Sequence, residues 1–600
     1  MAKTKTESSA LLGSSSSDGA LEVGGPINIY DWRRIGYLAQ YFAVGMIQGG
    51  LPSSQYGFFI AYLNVPSYVS SAAASLSQMP WSFKILFAVL TDACPIGGYR
   101  RRPYMVLGWL IAAVFLMALA AMPLPAPYFC QDGGFVDGVF VEGVYNTSRV
   151  CNEAAASSGM PYALLMMMTA VGYLMADVAA DALTVTYARR EPASQRGQTQ
   201  TTAYLVRECG MIGSQLLVGF GMNGREYNGT FDSGLSFSAI CGCLAVPAVI
   251  MVPVSWYLVE EPKVGTLPRT GGALPGNKGT PFETLKGGAP SKQPPAAAAK
   301  GAAPLEAAQE SGGESEGEGD EQPWTLRAYC DATMNLLRSG LIFQLICFYL
   351  LGGIVGGIGT TAGAEVQRYW ADVQNLQNQL FAIAGHFLFI LGLWLVRARY
   401  LDFSWRWMLA LTTIAANVID MPFTFCTIFG VVRNQYFFLD DGLITAIPGA
   451  MNFVVSTYVI VEVAEAGTEG ISYGILTTAA NIGRPVSSGL SNWIFGSYFS
   501  PSLSLASNYV TDSSSFRDLV AVSYAISYLF SFGALAFLPL LPDQKADTQA
   551  QKASSTRSGT YAFASLALLA IFSVYAVTIN LLSVFPKTSC LKIAGGEGCE

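Results

Sequence analysis

Two aspartates four residues apart, Asp177 and Asp181, lie inside an apolar stretch of the sequence. On a helix this spacing places both carboxylates on one face. An ionisable side chain inside hydrocarbon costs about a few kcal/mol or more, so it normally faces a partner or a wet cavity. The pair therefore predicts a functional role for the two carboxylates. The alternative, stronger for Asp181, is a structural salt bridge between helices.

Further charges lie in neighbouring apolar stretches, at Lys84 and at Arg207–Glu208. Counted along the predicted helices, they and Asp181 lie about two turns from the same membrane surface. Equal depth predicts a gating or structural charge network. Within it, we expect Asp181 to pair with Arg207.

The C-terminal part of the chain carries its own charges in apolar surroundings. Arg484 lies near the middle of one stretch, and Glu462 and Glu465 end the preceding one. A guanidinium in such a place suits a carboxylate or phosphate group. The sequence predicts that Arg484 binds a substrate carboxylate or pairs with an acid such as Glu462. The simpler interpretation of the two glutamates is that they cap the end of their helix.

Two other ionisable residues in the predicted spans have both a functional and a structural interpretation. Asp420 precedes Pro422, so it either has a function or satisfies the kink that the proline makes. The one histidine of the chain, His386, is expected to pack rather than relay protons.

The sequence offers little for catalysis. Its eleven cysteines include no CxxC pair, so no metal site is expected. It also lacks a nucleophile–base constellation, so we expect neither an enzyme nor a bound cofactor.

These charges stand out because the rest of the chain is apolar. Hydrophobic residues make up 52% of the chain and charged residues 12%, with a mean hydropathy of +0.39. Soluble domains carry about a quarter charged residues. The net charge of −7 is no guide to partners, because seven acids cluster between residues 306 and 321. Nothing resembles a nucleic-acid-binding surface.

Apolar runs long enough to cross a bilayer, about 20 residues each, recur along the chain. They predict an all-α polytopic membrane protein, in contact with the lipid bilayer. The predicted spans are 37–63, 68–91, 104–124, 161–187, 199–222, 235–258, 338–361, 375–397, 405–430, 441–464, 470–498 and 518–541, with a further run at 560–585.

The spans divide into two related groups. Thr201-Thr-Ala followed by Arg207 matches Thr477-Thr-Ala followed by Arg484, in corresponding spans. Repeated halves with a site between them are typical of secondary transporters. We expect the following organisation: a cytosolic tail (1–35), a six-helix bundle (36–258), a disordered cytosolic linker (259–325), a second six-helix bundle (326–542), and a last segment with a cytosolic stretch, a thirteenth membrane helix and a Cys-containing tail (543–600).

Loop charges predict the orientation. Arginines and lysines gather in alternate loops, which are therefore cytosolic. The opposite loops hold the glycosylation sequons at Asn146 and Asn228. Cys130 with Cys151, and Cys590 with Cys599, would then lie outside the cytosol, where they either form disulfides or stay unpaired.

One cytosolic loop carries a denser pattern, from Asp92 to Pro103, with Gly97, Gly98 and three arginines. The glycines permit a tight reversal and Pro103 fits the first turn of the next helix. Asp92 lies within pairing range of Arg100 and Arg101. Major facilitator transporters keep an acidic–glycine–basic loop at this place, and the present loop resembles it.

The surrounding residues resemble a narrower family. Pro80-Trp81-Ser-Phe-Lys84, with Asp92-Ala-Cys-Pro-Ile-Gly-Gly-Tyr-Arg-Arg-Arg-Pro-Tyr104, is similar to the signature of folate–biopterin transporters. Ala176-Asp177-Val-Ala-Ala-Asp181-Ala-Leu resembles the second motif of that family. The resemblance covers roughly residues 30–260 and 325–542. It implies a major-facilitator fold that carries folates, pterins or related conjugates together with protons.

The sequence therefore predicts a secondary transporter whose partners are a small-molecule substrate, such as a folate or pterin, and a proton. Two alternatives stay open: the same fold carrying another organic anion or a nucleoside-like metabolite, and a membrane receptor or scaffold that transports nothing. We expect the plasma membrane as location, with an endolysosomal, vacuolar or other organelle membrane left open.

Overall fold

A computed structural model describes residues 25–599 of the chain, with gaps at 33, 131–133, 137–138, 142–145, 189, 193–197, 262, 264–325, 401–402 and 464–468. Residues 1–24 and most of the predicted linker thus lie outside the described residues.

Each apolar run that was predicted to cross the membrane is helical. The N-terminal half comprises α1 (Ile35–Gln55), α2 (Ser67–Gln78), α3 (Lys84–Ala93), α4 (Arg102–Ala121), α5 (Met160–Ala188), α6 (Gln198–Gly221) and α7 (Phe237–Tyr257). A π-helical segment, Tyr56–Tyr62, extends α1, and a 3₁₀ segment, Met79–Phe83, joins α2 to α3. Six spans are therefore built from seven helices in this half.

The C-terminal half repeats the plan. It comprises α8 (Leu326–Leu337), α9 (Gly340–Cys347), α10 (Gly353–Gly357), α11 (Gly363–Glu365), α12 (Asn375–Arg399), α13 (Trp405–Ile428), α14 (Gln435–Val463), α15 (Glu469–Ser497), α16 (Ala506–Thr511) and α17 (Ser514–Gly533). Two further helices, α18 (Lys545–Ser554) and α19 (Gly559–Val584), follow this half. A π-helical segment, Phe348–Gly352, connects α9 to α10.

The described strands are short and lie in the loop between α4 and α5. β1 (Phe129–Cys130) pairs antiparallel with β4 (Asn146–Val150), and β2 (Gly134–Val136) pairs antiparallel with β3 (Val139–Val141). A disulfide joins Cys130 to Cys151, with Cα atoms 5.1 Å apart. A second disulfide, between Cys590 and Cys599, closes the chain end with a Cα separation of 5.0 Å.

The protein is an integral membrane protein. Within the described residues, nine helices are long and apolar enough to cross a bilayer. They include Gly559–Val584, the extra helix beyond the twelve of the two halves.

Packing within and between the halves fixes where the charged residues lie. In the N-terminal half α4 packs against α5 and α7, and α1 packs against α6. A Cβ atom at Gly45 of α1 would collide with the carbonyl of Arg207, and one at Gly210 of α6 would collide with the carbonyl of Phe42. Glycine is needed at this crossing because the backbones approach so closely.

Two seams join the halves: α2 and α3 pack against α15 at one, and α6 packs against α12 at the other. α19 packs on both α2 and α15. The thirteenth helix therefore contacts both halves beside one of the seams between them.

Candidate functional site

A cavity of about 960 Å³ lies between the two halves. Its wall comes from α2, α3, α5 and α6 on one side and from residues 357–364 and α15 on the other. Many polar side chains line the wall: Gln48, Ser67, Ser71, Ser75, Gln78, Thr360, Thr361, Thr477, Asn481, Ser487, Ser488 and Ser491.

The charged centre of the cavity wall is built on Lys84. Its Nζ atom lies 3.1 Å from Asp177 Oδ2 and 2.5 Å from Asp181 Oδ2. The Met79–Phe83 3₁₀ turn carries Lys84 into position at the start of α3, opposite α5. Asp177 is fully buried, and its Oδ1 atom has no hydrogen-bond partner within the described structure.

Aromatic and hydroxyl side chains surround this centre. Tyr41 OH donates to Asp181 Oδ1 at 2.9 Å and also lies 2.7 Å from Thr184 Oγ1. The Lys84 ammonium lies 5.1 Å from the centroid of the Trp81 ring, and Trp81 Nε1 donates to Tyr173 OH at 3.1 Å. The ammonium is thus held by two carboxylates and an aromatic face, while one oxygen of Asp177 stays available for a proton.

The predicted pair between Asp181 and Arg207 is wrong in this structure. Lys84 and Tyr41 take both oxygens of Asp181. Arg207 instead stacks on Tyr204, with its guanidinium carbon 4.7 Å from the ring centroid, and lines the cavity. Its Nε atom is buried and has no hydrogen-bond partner among the described residues. Both residues line the same cavity, so equal depth did bring them to one site, but Lys84 is the direct ionic partner of Asp181.

Glu208 also leaves the predicted network. Its Oε2 atom lies 2.8 Å from Nδ1 of His386 on α12, away from Lys84. Consecutive residues on a helix point about 100° apart, so Arg207 and Glu208 cannot both face the cavity. His386, which was expected to pack rather than relay protons, is partly buried, and its ring bonds to an acid of the other half.

Arg484 lines the cavity and its side chain is exposed to it. Within the described part of the chain, its guanidinium makes no hydrogen bond or ion pair with protein. Of the two alternatives for this residue, the internal pair with Glu462 does not form. Glu462 instead accepts a 2.9 Å hydrogen bond from Gln549 Nε2 on α18. Glu465 lies outside the described residues.

The arginine loop, residues 92–103, is hydrogen-bonded to an acid, Glu261, that was predicted to belong to the linker. Glu261 accepts hydrogen bonds from the backbone nitrogens of Arg100, Arg101 and Arg102 at 2.8–2.9 Å. This carboxylate therefore caps the start of α4, where free N–H groups favour an anion. Arg101 Nη1 also donates to Thr91 Oγ1 at 2.9 Å. The side chain of Asp92 lies outside the described residues.

Two predictions concern glycosylation. Asn228 Nδ2 is partly buried and donates to the Val373 carbonyl at 2.8 Å, so a glycan on this nitrogen requires that contact to open. The side chain of Asn146 lies outside the described residues.

An acid and a base at the other end of the cavity were not predicted. Glu365 is buried and accepts from Ser67 Oγ at 2.8 Å, which links the two halves. Arg368, also buried, donates to the Ile60 and Ala61 carbonyls and to Asn64 Oδ1. Both residues follow the end of an apolar run, where a charged residue is usually part of an exposed loop. Nothing in the sequence indicates that this segment folds back between the two halves, and only the tertiary structure shows it.

Comparison with known proteins agrees with these features. The BT1 family model matches residues 45–128. A protein named probable folate-biopterin transporter 4, from Arabidopsis thaliana, is 25% identical over 169 residues, which is 28% of this chain and 28% of the relative. The folate-biopterin transporter of Synechocystis sp. is 25% identical over 186 residues, 31% of each chain. The alignments therefore span less than a third of either relative.

These matches confirm the resemblance to folate–biopterin transporters that the motifs predicted. The crystal structure of a D-xylose-proton symporter superposes with a TM-score of 0.52 at 11% identity, covering 85% of this chain and 97% of the symporter. This likeness confirms the major-facilitator fold. Both sequence relatives are named as transporters and not as enzymes, in line with the expectation of a non-enzymatic protein.

Proposed function

We propose that this protein is a secondary active transporter that moves a folate- or pterin-type substrate by alternating access, with a coupled proton. The observation that carries the proposal is the cavity between the halves, with Lys84 and Asp181 on one wall and an unpaired Arg484 on the other. A receptor or scaffold has little use for a charged, hydroxyl-lined cavity between its halves.

The substrate is expected to be anionic and rich in hydrogen-bonding groups. An arginine that is exposed to the cavity and makes no contact with protein among the described residues has its guanidinium available to bind an anion. The serine, threonine, asparagine and glutamine side chains of the wall suit a ligand with several donors and acceptors. A folate has a pterin ring and two carboxylates and meets both demands. The names of the two relatives favour the same substrates.

Proton coupling is expected to use the Lys84 centre. Two carboxylates share one ammonium, so the cluster holds an excess negative charge when both acids are ionised. The unpartnered Oδ1 of Asp177 offers a place for a proton. Protonation there would leave Lys84 paired with Asp181 alone and alter the electrostatic balance of the cavity.

Alternating access needs contacts between the halves that can break. At the end of the cavity near Ser67, the halves are joined by Ser67 with Glu365 and by Arg368 with the Ile60–Asn64 loop. These are individual polar contacts. Opening this end therefore costs a limited number of hydrogen bonds, each worth roughly 0.5–1.5 kcal/mol net.

The deciding experiment is uptake by purified protein in proteoliposomes. Labelled folic acid should enter, an inward-acid pH gradient should change its rate, and unlabelled pterins should compete. Competition by nucleosides or by other organic anions, without competition by pterins, would favour the alternative substrates. No flux of any of these solutes would favour the receptor or scaffold.

A further inference from the structure

The only histidine of the sequence forms a contact across the seam between α6 and α12. His386 Nδ1 lies 2.8 Å from Glu208 Oε2. Each residue is close to the middle of its helix, Gln198–Gly221 or Asn375–Arg399. Ionisable groups at this depth are expensive and point to a function. This pair is separate from the Lys84 centre, and neither residue lines the cavity.

A third side chain completes the arrangement. Gln215, two turns along α6 from Glu208, places its Nε2 atom 3.2 Å from Nε2 of His386. With a neutral imidazole, Nδ1–H donates to Glu208 and Nε2 accepts from the Gln215 amide, so both ring nitrogens are bonded. The Oε1 atom of Gln215 is buried and has no hydrogen-bond partner within the described structure.

The same three residues also suit a charged imidazolium. When Nε2 gains a proton it becomes a donor, and a half-turn of the Gln215 amide would bring Oε1 to accept from it. The carboxylate of Glu208 then faces a full positive charge. Both ring nitrogens thus keep partners in either state, and the unpartnered oxygen finds one only when the proton is bound.

We propose that Glu208, His386 and Gln215 form a proton-binding site on the seam between the halves, distinct from the Lys84 centre. The ligand is a single proton, which forms an N–H bond at Nε2 of His386. Binding converts a hydrogen bond between a neutral ring and a carboxylate into an ion pair between α6 and α12. Protonation therefore strengthens the attachment of the halves along this seam.

Other charges near the site are few. Arg207 is adjacent in sequence and interacts electrostatically with Glu208. The helices packed on α6 include α1 and α7, which contain no Asp, Glu, Lys or Arg, and α5, which carries Asp177 and Asp181. α14, packed on α12, carries Asp440 and Asp441, whose side chains lie outside the described residues.

Because the chain has one histidine, nuclear magnetic resonance of ¹⁵N-histidine-labelled protein reports on this site alone. The full chain would be purified without a polyhistidine tag and placed in lipid nanodiscs. We expect the Nδ1–H tautomer in the neutral ring, and both ring ¹⁵N signals should change when acid adds a proton at Nε2. The Nε2–H tautomer, or ring signals that acid leaves unchanged in folded protein, would overturn the proposal.

Variants then test the partners. Glu208→Gln should lower the proton affinity of His386 by about tenfold or more, because it removes a charged hydrogen bond. Gln215→Leu should lower it less. Asp420→Asn is the matched control, since Asp420 is a mid-span acid bonded to Thr424 and Tyr528, and should change nothing. An effect of Asp420→Asn equal to that of Glu208→Gln would refute the assignment of Glu208.

The unmodified protein already gives the tautomer and the titration, so a variant that fails to fold does not remove the test. The link between this site and transport rests on the proposed function, whereas proton binding does not. Titration as expected in protein that moves no substrate would leave the site standing and reject the transport proposal. Substrate uptake by protein whose His386 does not bind a proton would support the transport proposal and reject the proton-binding site.

Discussion

Lys84 Nζ lies 2.5 Å from Asp181 Oδ2 and 3.1 Å from Asp177 Oδ2, so a single ammonium serves two carboxylates on successive turns of α5. Lys84 and Asp177 are buried, and Asp181 is partly exposed to the cavity. A cluster with one more acid than base can gain or lose a proton while Lys84 keeps a partner.

The pairing of Lys84 with Asp181 predicts strong coupling in a double-mutant cycle. Lys84→Met leaves two carboxylates without their cation. It should lower the yield of folded protein and reduce the free energy of unfolding by about 3–5 kcal/mol. Adding Asp181→Asn should recover part of this loss. The cycle is read from thermal unfolding in detergent. The matched cycle of Arg207→Gln with Asp181→Asn should show smaller coupling, and the opposite ranking would show that Arg207 is the true partner.

Asp177 is predicted to carry the proton at the Lys84 centre. Asp177→Asn should flatten the pH dependence of uptake, because the variant has no ionisable group at the position with the free oxygen. Proteoliposomes with inward-acid gradients give the measurement. Asp420→Asn, another mid-span acid but outside the cavity, should keep the dependence of the unmodified protein. A folded Asp177→Asn protein with unchanged pH dependence would exclude Asp177 as the carrier.

Arg484 is predicted to distinguish folates from pterins. Folate has two carboxylates on its glutamyl tail and biopterin has none, so a guanidinium that grips the tail matters to folate alone. Arg484→Lys keeps the charge but loses the paired donors. A charged hydrogen bond is worth roughly 1.5–3 kcal/mol, and each 1.4 kcal/mol is about tenfold in affinity. Folate affinity should therefore fall by about one to two orders of magnitude, with biopterin transport nearly intact. Equal losses for both ligands would place Arg484 in conformational gating instead.

Glu261 is predicted to stabilise the arginine loop. Three backbone N–H groups donate to its carboxylate, at the start of α4. Glu261→Gln should destabilise the protein by about 1–3 kcal/mol, because it weakens these charged hydrogen bonds. The neighbouring Glu260→Gln is the control: Glu260 is exposed and pairs with Arg34, so the change should stay within about 1 kcal/mol. Similar unfolding temperatures for the two variants would contradict the capping role.

Asp512 is predicted to give the protein an acid-sensitive contact between two loops. It accepts hydrogen bonds from Arg433 and Arg517 at 2.6–3.0 Å. Desolvation raises its pKa, but these hydrogen bonds outweigh desolvation and lower the pKa to about 2. The ordinary value is about 3.9. The contact thus contributes stability above about pH 4 and loses it as the pH falls through about 2.

Asp512→Asn should accordingly lower the unfolding temperature at about pH 5, and the difference from the unmodified protein should shrink as the pH approaches 2. Asparagine tolerates the positive φ of 48° at this position, so backbone strain does not confuse the result. Asp232→Asn, at an exposed pair with Arg225, should have little effect. A deficit that persists undiminished at low pH would show that the charge of Asp512 is not the cause.

The sequence by itself determined the membrane class, the positions of the spans and the repeat of two halves. Burying apolar runs of this length in a bilayer requires helices, because only a helix satisfies its own backbone groups. The length and composition of the apolar runs are therefore enough to predict where the membrane helices lie. α5 and α15, for example, lie where the spans around Asp177 and Arg484 were predicted. The short motifs from Pro80 to Tyr104 sufficed for the family resemblance as well.

Which charges meet was decided by the tertiary structure. Arg207 and Glu208 are adjacent, yet one faces the cavity and the other faces His386 of the opposite half. A pairing depends on the rotation of each helix about its axis and on which helices cross. Here those are set by close approaches such as Gly45 with α6 and Gly210 with α1. Such contacts join residues far apart in sequence, so spacing along the chain carries no trace of them.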